Sequence, residues 1–344
     1  MVFGLSSKSR FLCIDIQFDE VYFVVVRKEG TSFEIDFSDV LTVEKGVFDG
    51  IHVRAPGKIA DILHDVKKKF GPIPALITVP ETFSYATLLP GETYSSGGDV
   101  RKAIDACTTV PSYAWTHTFQ KNYFSCTALH VAYKQICDAL YSLLKNSGFT
   151  TVTLYPRALA LGELHGLQNE VVCDLGRSQT TLFSIYNGHT IGFSLIAYGK
   201  DYLFEKIQKR FSLQKEEIEE VLTAYGTDVL PRKEGHVVQG IVHAFLAPLI
   251  DEIHSLEARR REYGVSPSHN VLVGGIGAQY VGIIDDIARM GRSHARPLDI
   301  WEGVINFNKY IPSIHKKDSY VYMGIAGLMN ILKKGTRYEP FVDR

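Results

Sequence analysis

Apolar positions follow two rhythms along this chain. From Phe11 to Val26, and again from Val171 to Ile185, they run almost unbroken through short segments rich in Val, Ile and Phe. Each run is interrupted once by a polar knot, Asp15 to Glu20 in the first and Asp174 to Thr181 in the second. Such runs, bounded by turn residues, predict buried strands joined by hairpins. Residues 11 to 44 form a meander of three strands, with turns at Lys28-Glu29-Gly30 and Ser38-Asp39. The second rhythm is helical: Ile59, Ile62, Leu63 and Val66 recur behind Ala55-Pro56-Gly57, and Gly71-Pro72 ends that helix after Phe70. Ala75 to Pro80 is then a buried strand, completing a βββαβ unit.

The plan repeats. Strands fill residues 170 to 198, followed by a helix from Tyr202 to Phe211, an acid-rich helix from Lys215 to Tyr225 and a helix over about 236 to 262, reached through a polar loop from Gly226 to Gly235. A strand at Val271 runs into glycines and a helix after Gly277, and Ser319 to Lys334 closes the chain as a helix ended by Gly335. Between the repeats lies an insertion, about 87 to 150. It opens with the loop Gly91 to Gly98 and contains a short helix from Asp99, strand regions at Trp115 to Phe119 and Tyr123 to Leu129, and an amphipathic helix from Tyr133 to Leu144, capped by Gly148. The chain returns through Val152 to Tyr155. One device used twice predicts an α/β fold of two duplicated lobes facing each other across a cleft.

Composition narrows the function. With 344 residues, 45% of them hydrophobic, the chain can bury a substantial core in two lobes. Lys plus Arg (37) balances Asp plus Glu (38), so no overall field favours nucleic acid or an acidic membrane. Lys67 to Lys69 and Arg259 to Arg261 read as solvated helix faces. Neither a secretory leader nor an apolar run near 18 residues is visible, and the five cysteines show no paired framework, so the expectation is a cytoplasmic protein without direct membrane insertion. Cys126, His130 and Cys137 fit one helical face, but their spacing is not that of a zinc site.

Three segments carry candidate chemistry. In the second hairpin Gly176 lets backbone approach an anion, the hydroxyls of Thr180 and Thr181 can donate to it, and Asp174 can hold the accompanying magnesium. Asp15 stands at the same place in the first hairpin. The turn Gly274-Gly275-Ile276-Gly277 offers glycine backbone to the flat face of a ligand. Taken alone, the second hairpin and the glycine turn read first as plain structure: an Asp-Gly hairpin is a turn signal, and glycines at a strand end allow close packing.

In order and spacing these three segments resemble the actin-like ATPase superfamily, and within it the PilM family of type IV pilus assembly. Supporting segments are Ile14-Asp15-Ile16, Ala75 to Pro80, Leu88-Leu89-Pro90, Val100 to Ile104 before Val110-Pro111, Ala158-Leu159-Ala160, Tyr198 to Leu203, Glu216 to Glu219 before Tyr225-Gly226, and Tyr322 to Leu328. The resemblance implies an actin-like, ribonuclease H-like duplicated fold, with a first lobe over 1–168 and a second over 169–344 whose helical subdomain spans about 201–265. It implies an ATP site of Asp15, Asp174, Gly176, Thr180, Thr181, Gly199, Glu219, Gly274, Gly275 and Gly277, with Asp15 and Asp174 holding magnesium through water. The implied partners are the cytoplasmic tail of a membrane-anchored PilN-like protein, bordered by the inserted subdomain, and pilus motor ATPases. The implied location is the cytoplasmic face of the inner membrane. Tyr113, Trp115 and Phe119 are candidate contacts, although half-buried strand aromatics are more often core.

Departures from the family pattern matter too. Gln17 replaces a glycine, Phe18, Asp19 and Glu20 fill serine positions, Tyr22 and Leu222 stand at lysine positions, and Ile276 replaces the middle glycine. Micromolar affinity corresponds to about 8 kcal/mol, and each lost charged hydrogen bond removes about 1.5–3, so a weakened ATP site follows. An active slow ATPase of the same fold and an FtsA-like cell-division tether are the alternatives. The tail from Lys333 to Arg344 has little of the apolar moment such a tether needs, and the GspL relatives of secretion systems normally continue into a membrane span.

Overall fold

Side-chain alternation along the strands decides how this fold is layered. The computed structural model describes residues 9–90, 102, 105, 114–123, 126–149, 151–224, 226, 232–306, 314 and 316–335. The first meander forms as its hydrophobic runs require: β1 (Arg10–Ile16), β2 (Glu20–Glu29) and β3 (Ser32–Thr42) pair antiparallel in chain order. A small hairpin of β4 (Phe48–Asp49) and β5 (His52–Val53) leads to α1 (Pro56–Phe70). Pro56 suits the first helical turn, where its missing N–H is no loss. The chain returns as β6 (Ala75–Val79), parallel to β1.

A separate sheet of order β7-β9-β8 follows, built from β7 (Ser84–Pro90), β8 (Trp115–Tyr123) and β9 (Cys126–Tyr133). Then α2 (Lys134–Asn146) packs beside α1, and β10 (Val152–Pro156) pairs with β6 to complete a five-stranded sheet of order β10-β6-β1-β2-β3. The short α3 (Arg157–Gly162) is buried from end to end.

The second half builds its sheet from β11 (Val171–Leu175), β12 (Thr180–Tyr186) and β13 (His189–Ile196), then α4 (Lys200–Phe211), α5 (Lys215–Ala224) and α6 (Arg232–Glu262). β14 (Asn270–Gly274), α7 (Ile283–Gly291), β15 (His294–Pro297) and α8 (Met323–Lys334) complete it. Its order, β13-β12-β11-β14-β15, is the first sheet's order read from the other end. The duplication expected from the repeated strand-aspartate-strand device is therefore present in the topology.

On β1, Leu12, Ile14 and Ile16 pack outward with residues of α1 and α2, while Phe11 and Cys13 face a central cluster. On β11, Val171, Cys173 and Leu175 pack outward with α4 to α7, and Val172 faces that same central cluster. Ala158 to Leu161 and Ile325 to Leu332 supply much of the centre, so α3 and α8 lie between the two sheets. They meet backbone to backbone: a Cβ on Gly327 would stand 2.1 Å from the Ala160 carbonyl oxygen.

Several expectations change. Cys126 and His130 lie on β9 and Cys137 on α2, so they share no helical face. The run belongs to a strand because β9 pairs on both sides, with β7 and β8. His130 is fully buried, which lowers its pKa to about 3. Among the described residues no group of three or more His, Cys, Asp or Glu side chains could hold a metal. The helix expected from Ser319 starts as a 3-10 segment (Lys316–Val321), because the Tyr320 carbonyl accepts from Gly275 N–H. The glycine turn likewise continues as a short 3-10 segment (Ile276–Gln279) before α7. The loop at 91–98, the helix from Asp99, the segments at 100–104 and 110–111, and Tyr113 lie outside the described residues. No helix among the described residues is long and apolar enough to cross a membrane.

Candidate functional site

β1 and β11 each bring an aspartate to the central layer near the strand's C-terminal end. Asp15 shares parity with Phe11 and Cys13, and Asp174 with Val172, so both carboxylates point between the sheets. Neither meets water to any extent, Asp15 being 0% and Asp174 5% exposed. What stands between them is Arg157, the first residue of α3. Its Nε donates to Asp15 Oδ1 at 3.0 Å and Oδ2 at 3.2 Å, one terminal nitrogen to Glu81 Oε1 at 2.9 Å and the other to Asp174 Oδ2 at 2.8 Å.

A buried guanidinium survives only when its charge and its N–H groups are matched. Burial works against the Arg157 charge, but Asp15, Glu81 and Asp174 together hold it well above its ordinary range. Burial raises the pKa values of Glu81 and Asp174, and Arg157 opposes both shifts. The planar fork thus bridges β1, the segment after β6, and β11 at one point.

The neighbours of the two aspartates leave little space. The Thr78 hydroxyl donates to Asp15 Oδ1 at 2.7 Å, and Gln17 Nε2 donates to its Oδ2 at 3.3 Å and to the Val321 carbonyl at 2.9 Å. A Cβ on Gly324, at the start of α8, would lie 2.1 Å from Asp15 Oδ1. A Cβ on Gly275, which adopts φ +77°, would lie 2.4 Å from Asp174 Oδ1, an oxygen that is buried without a hydrogen-bond partner. Gly274 sits against Met323 Sδ and Gly277 against the Leu175 side chain.

The two hairpins touch directly. The Ser178 hydroxyl donates to Asp19, and Glu20 lies 3.9 Å from Arg177, which also pairs with Asp201 at 3.2 Å. Tyr22 donates its hydroxyl to Glu20 at 2.5 Å. Burial raises the pKa values of both Asp19 and Glu20. Gly176 N–H bonds the Asp174 carbonyl, and the carbonyls of Gly176 and Arg177 accept from the N–H groups of Lys200 and Asp201 at the start of α4. Gly199 is required there, since its Cβ would meet the Gly176 carbonyl oxygen at 2.4 Å. Thr180 donates to the Tyr198 carbonyl at 2.9 Å, and Thr181 is buried opposite Asp174 across the hairpin.

Glu219 on α5 is engaged as well. It receives Lys200 Nζ at 3.0 Å, Gln279 Nε2 at 3.3 Å and the Tyr280 hydroxyl at 3.2 Å. Beyond it a cavity of about 280 Å³ is lined by Ile207, Phe211, Ile218, Leu222 and Val238 among others. The side chains that line it are apolar.

No protein-family model and no curated protein matches the sequence. Solved structures do. The chain superposes on a PilM-PilN type IV pilus biogenesis complex with a TM-score of 0.72 at 14% identity, covering 95% of this chain and 98% of that one. It also superposes on the ethanolamine utilization protein EutJ of Carboxydothermus hydrogenoformans (TM-score 0.53, 12% identity, 96% and 92% covered). A third match is MreB5 of Spiroplasma citri bound to ADP (0.52, 11%, 95% and 98%). The chain has the actin-like fold.

In this actin-like cleft the sequence-predicted residues do gather: Asp15, Asp174 and Gly275 meet around Arg157, Gly176 and Gly199 meet each other, and Glu219 joins Lys200. The residues present do not fit a magnesium nucleotide. Magnesium retains several waters and needs room for them, whereas both aspartates are closed on a guanidinium and pressed by glycine backbone. The hydroxyls of Ser178 and Thr180 are already engaged. Sequence reading missed Arg157, Glu81, Thr78 and the Asp19 to Ser178 contact. The available signal was that Arg157 is the sole charge between Val152 and Gly162, in a run that had to be buried.

Proposed function

We propose that this chain is an actin-like scaffold of type IV pilus assembly, or of a related filament or secretion machine, and a member of the PilM family. It works at the cytoplasmic face of the inner membrane by binding the cytoplasmic tail of a PilN-like, membrane-anchored partner. ATP with magnesium binds weakly or not at all at the cleft of Asp15, Asp174, Gly176, Thr180, Thr181, Gly199, Glu219, Gly274, Gly275 and Gly277, and no hydrolysis is required of it. One observation carries this reading: the near-complete mutual coverage with the pilus complex at a TM-score of 0.72, against 0.52–0.53 for the EutJ and ADP-bound MreB5 structures. The order of family-like segments along the whole sequence supports it independently.

The partner tail is expected beside the sheet β7-β9-β8, as the family resemblance implies. There Trp115 is half-buried, edge-on to Tyr133 with ring centroids 5.3 Å apart. The test is a pull-down and titration with the N-terminal tail of a single-span protein encoded beside this chain. Binding with and without ATP is the expected result, and absence of binding in both conditions would overturn the reading.

A further inference from the structure

Two buried carboxylates brought together from opposite lobes repel each other unless a proton or a cation relieves them. Here that cation is part of the chain. We infer that the Arg157 guanidinium replaces a nucleotide's metal, latching Asp15 and Glu81 of the first lobe to Asp174 of the second so that the lobes stay closed without any ligand.

Three observations converge on this latch. The guanidinium reaches both lobes at once, and its side chain is only 2% exposed against 0%, 1% and 6% for its three partners. Arginine's rigid fork makes this more than neutralisation: bonds along three directions fix the angle between β1 and β11 as well as their separation. Second, little room is left for a hydrated ion, since Gly324 and Gly275 bring backbone close against the two carboxylates. Third, the first hairpin has its own fastening to the second, through Asp19 to Ser178 and Glu20 to Arg177. A triphosphate between the hairpins would have to break these contacts and would meet four carboxylates, of Asp15, Asp19, Glu20 and Asp174.

A cation at the first position of a helix also has the wrong sign for the helix dipole. Arg157 occupies that position in α3, so its placement is explained by the carboxylates it faces and not by helix preference. The consequence is a scaffold whose shape does not depend on nucleotide. The inference stands apart from the pilus reading, because it concerns the cleft alone.

Two measurements on the full chain test it, neither involving a partner tail. The first is a titration of the parent protein with fluorescent ATP and ADP, with and without magnesium. No saturable binding into the millimolar range is expected, and micromolar binding would overturn the latch. The second places spin labels at Ile51→Cys and Tyr263→Cys, exposed positions on the two lobes, in a background with Cys107→Ser and Cys126→Ser. The expected inter-lobe distance is single, narrow and unmoved by magnesium ATP. Arg157→Lys, which keeps the charge but loses the fork, should broaden it, and Arg157→Met should broaden it further. A parent distance that shifts with nucleotide, or an Arg157→Lys distance as narrow as the parent's, would overturn the proposal. Should Arg157→Met fail to fold, the lysine variant and the parent titration still decide it.

Discussion

The two hairpins β1–β2 and β11–β12 occupy equivalent places in sheets of the same strand order, yet they treat their aspartates differently. Asp15 is held from several sides, by Thr78, Gln17 and Arg157, whereas Asp174 has one oxygen on Arg157 and the other without a partner. The turns differ in the same sense. The second has glycine and small hydroxyls, while the first has Gln17, Phe18, Asp19 and Glu20 and uses Asp19 and Glu20 to reach the second. One half of the device has become a clasp, and the other is what it clasps.

The harshest way to break the comparison is to remove the shared centre. Arg157→Met leaves three buried carboxylates uncompensated and should cost about 3–5 kcal/mol in chemical unfolding, with Asp15→Asn plus Asp174→Asn recovering part of it. Treating the halves separately should expose their inequality. Asp15→Asn is expected to lose about 2–3 kcal/mol and Asp174→Asn about 1, and equal losses would show that the halves are not unequal after all.

Backbone approach gives a finer probe. Gly275→Ala combines strain at φ +77° with a clash at Asp174, and Gly324→Ala a clash at Asp15 without the strain. Each should cost about 1–3 kcal/mol by thermal unfolding, the former more. Breaking only the outer clasp, with Ser178→Ala, should cost about 0.5–1.5 kcal/mol.

The smallest effect is on pH. Asp19 and Glu20 have pKa values raised by burial, so the folded state binds protons at these two groups more tightly than the unfolded one. Their contribution to stability is fully present below the ordinary carboxylate range and is lost as pH rises through the folded values. The melting temperature should therefore fall as pH rises from that range toward neutrality. An Asp19→Asn, Glu20→Gln double variant should flatten the dependence, and a parent profile that instead rises over this interval would contradict the assignment.

Much of the fold was legible in the chain because strands and helices write their burial into short-range periodicity. Phe11 to Ile16 announced a buried strand carrying one aspartate, while the face that aspartate takes came from the packing of Leu12, Ile14 and Ile16 against α1 and α2. Ile59, Leu63 and Val66 declared α1 in the same way. His130 leaves the helical face that its spacing from Cys126 and Cys137 allows, because its segment is a strand paired on both sides with β7 and β8.

Taken by itself, the sequence determined the duplicated α/β plan, the two aspartates and the glycines around them, since these follow from local pattern and from order along the chain. Only the tertiary structure decided what the aspartates face. Arg157 is 142 residues from Asp15 and 17 from Asp174, and Glu81 comes from a third segment. Charge pairing depends on distance in space, and no periodicity along a chain records which buried cation will stand between two carboxylates brought together by separate sheets.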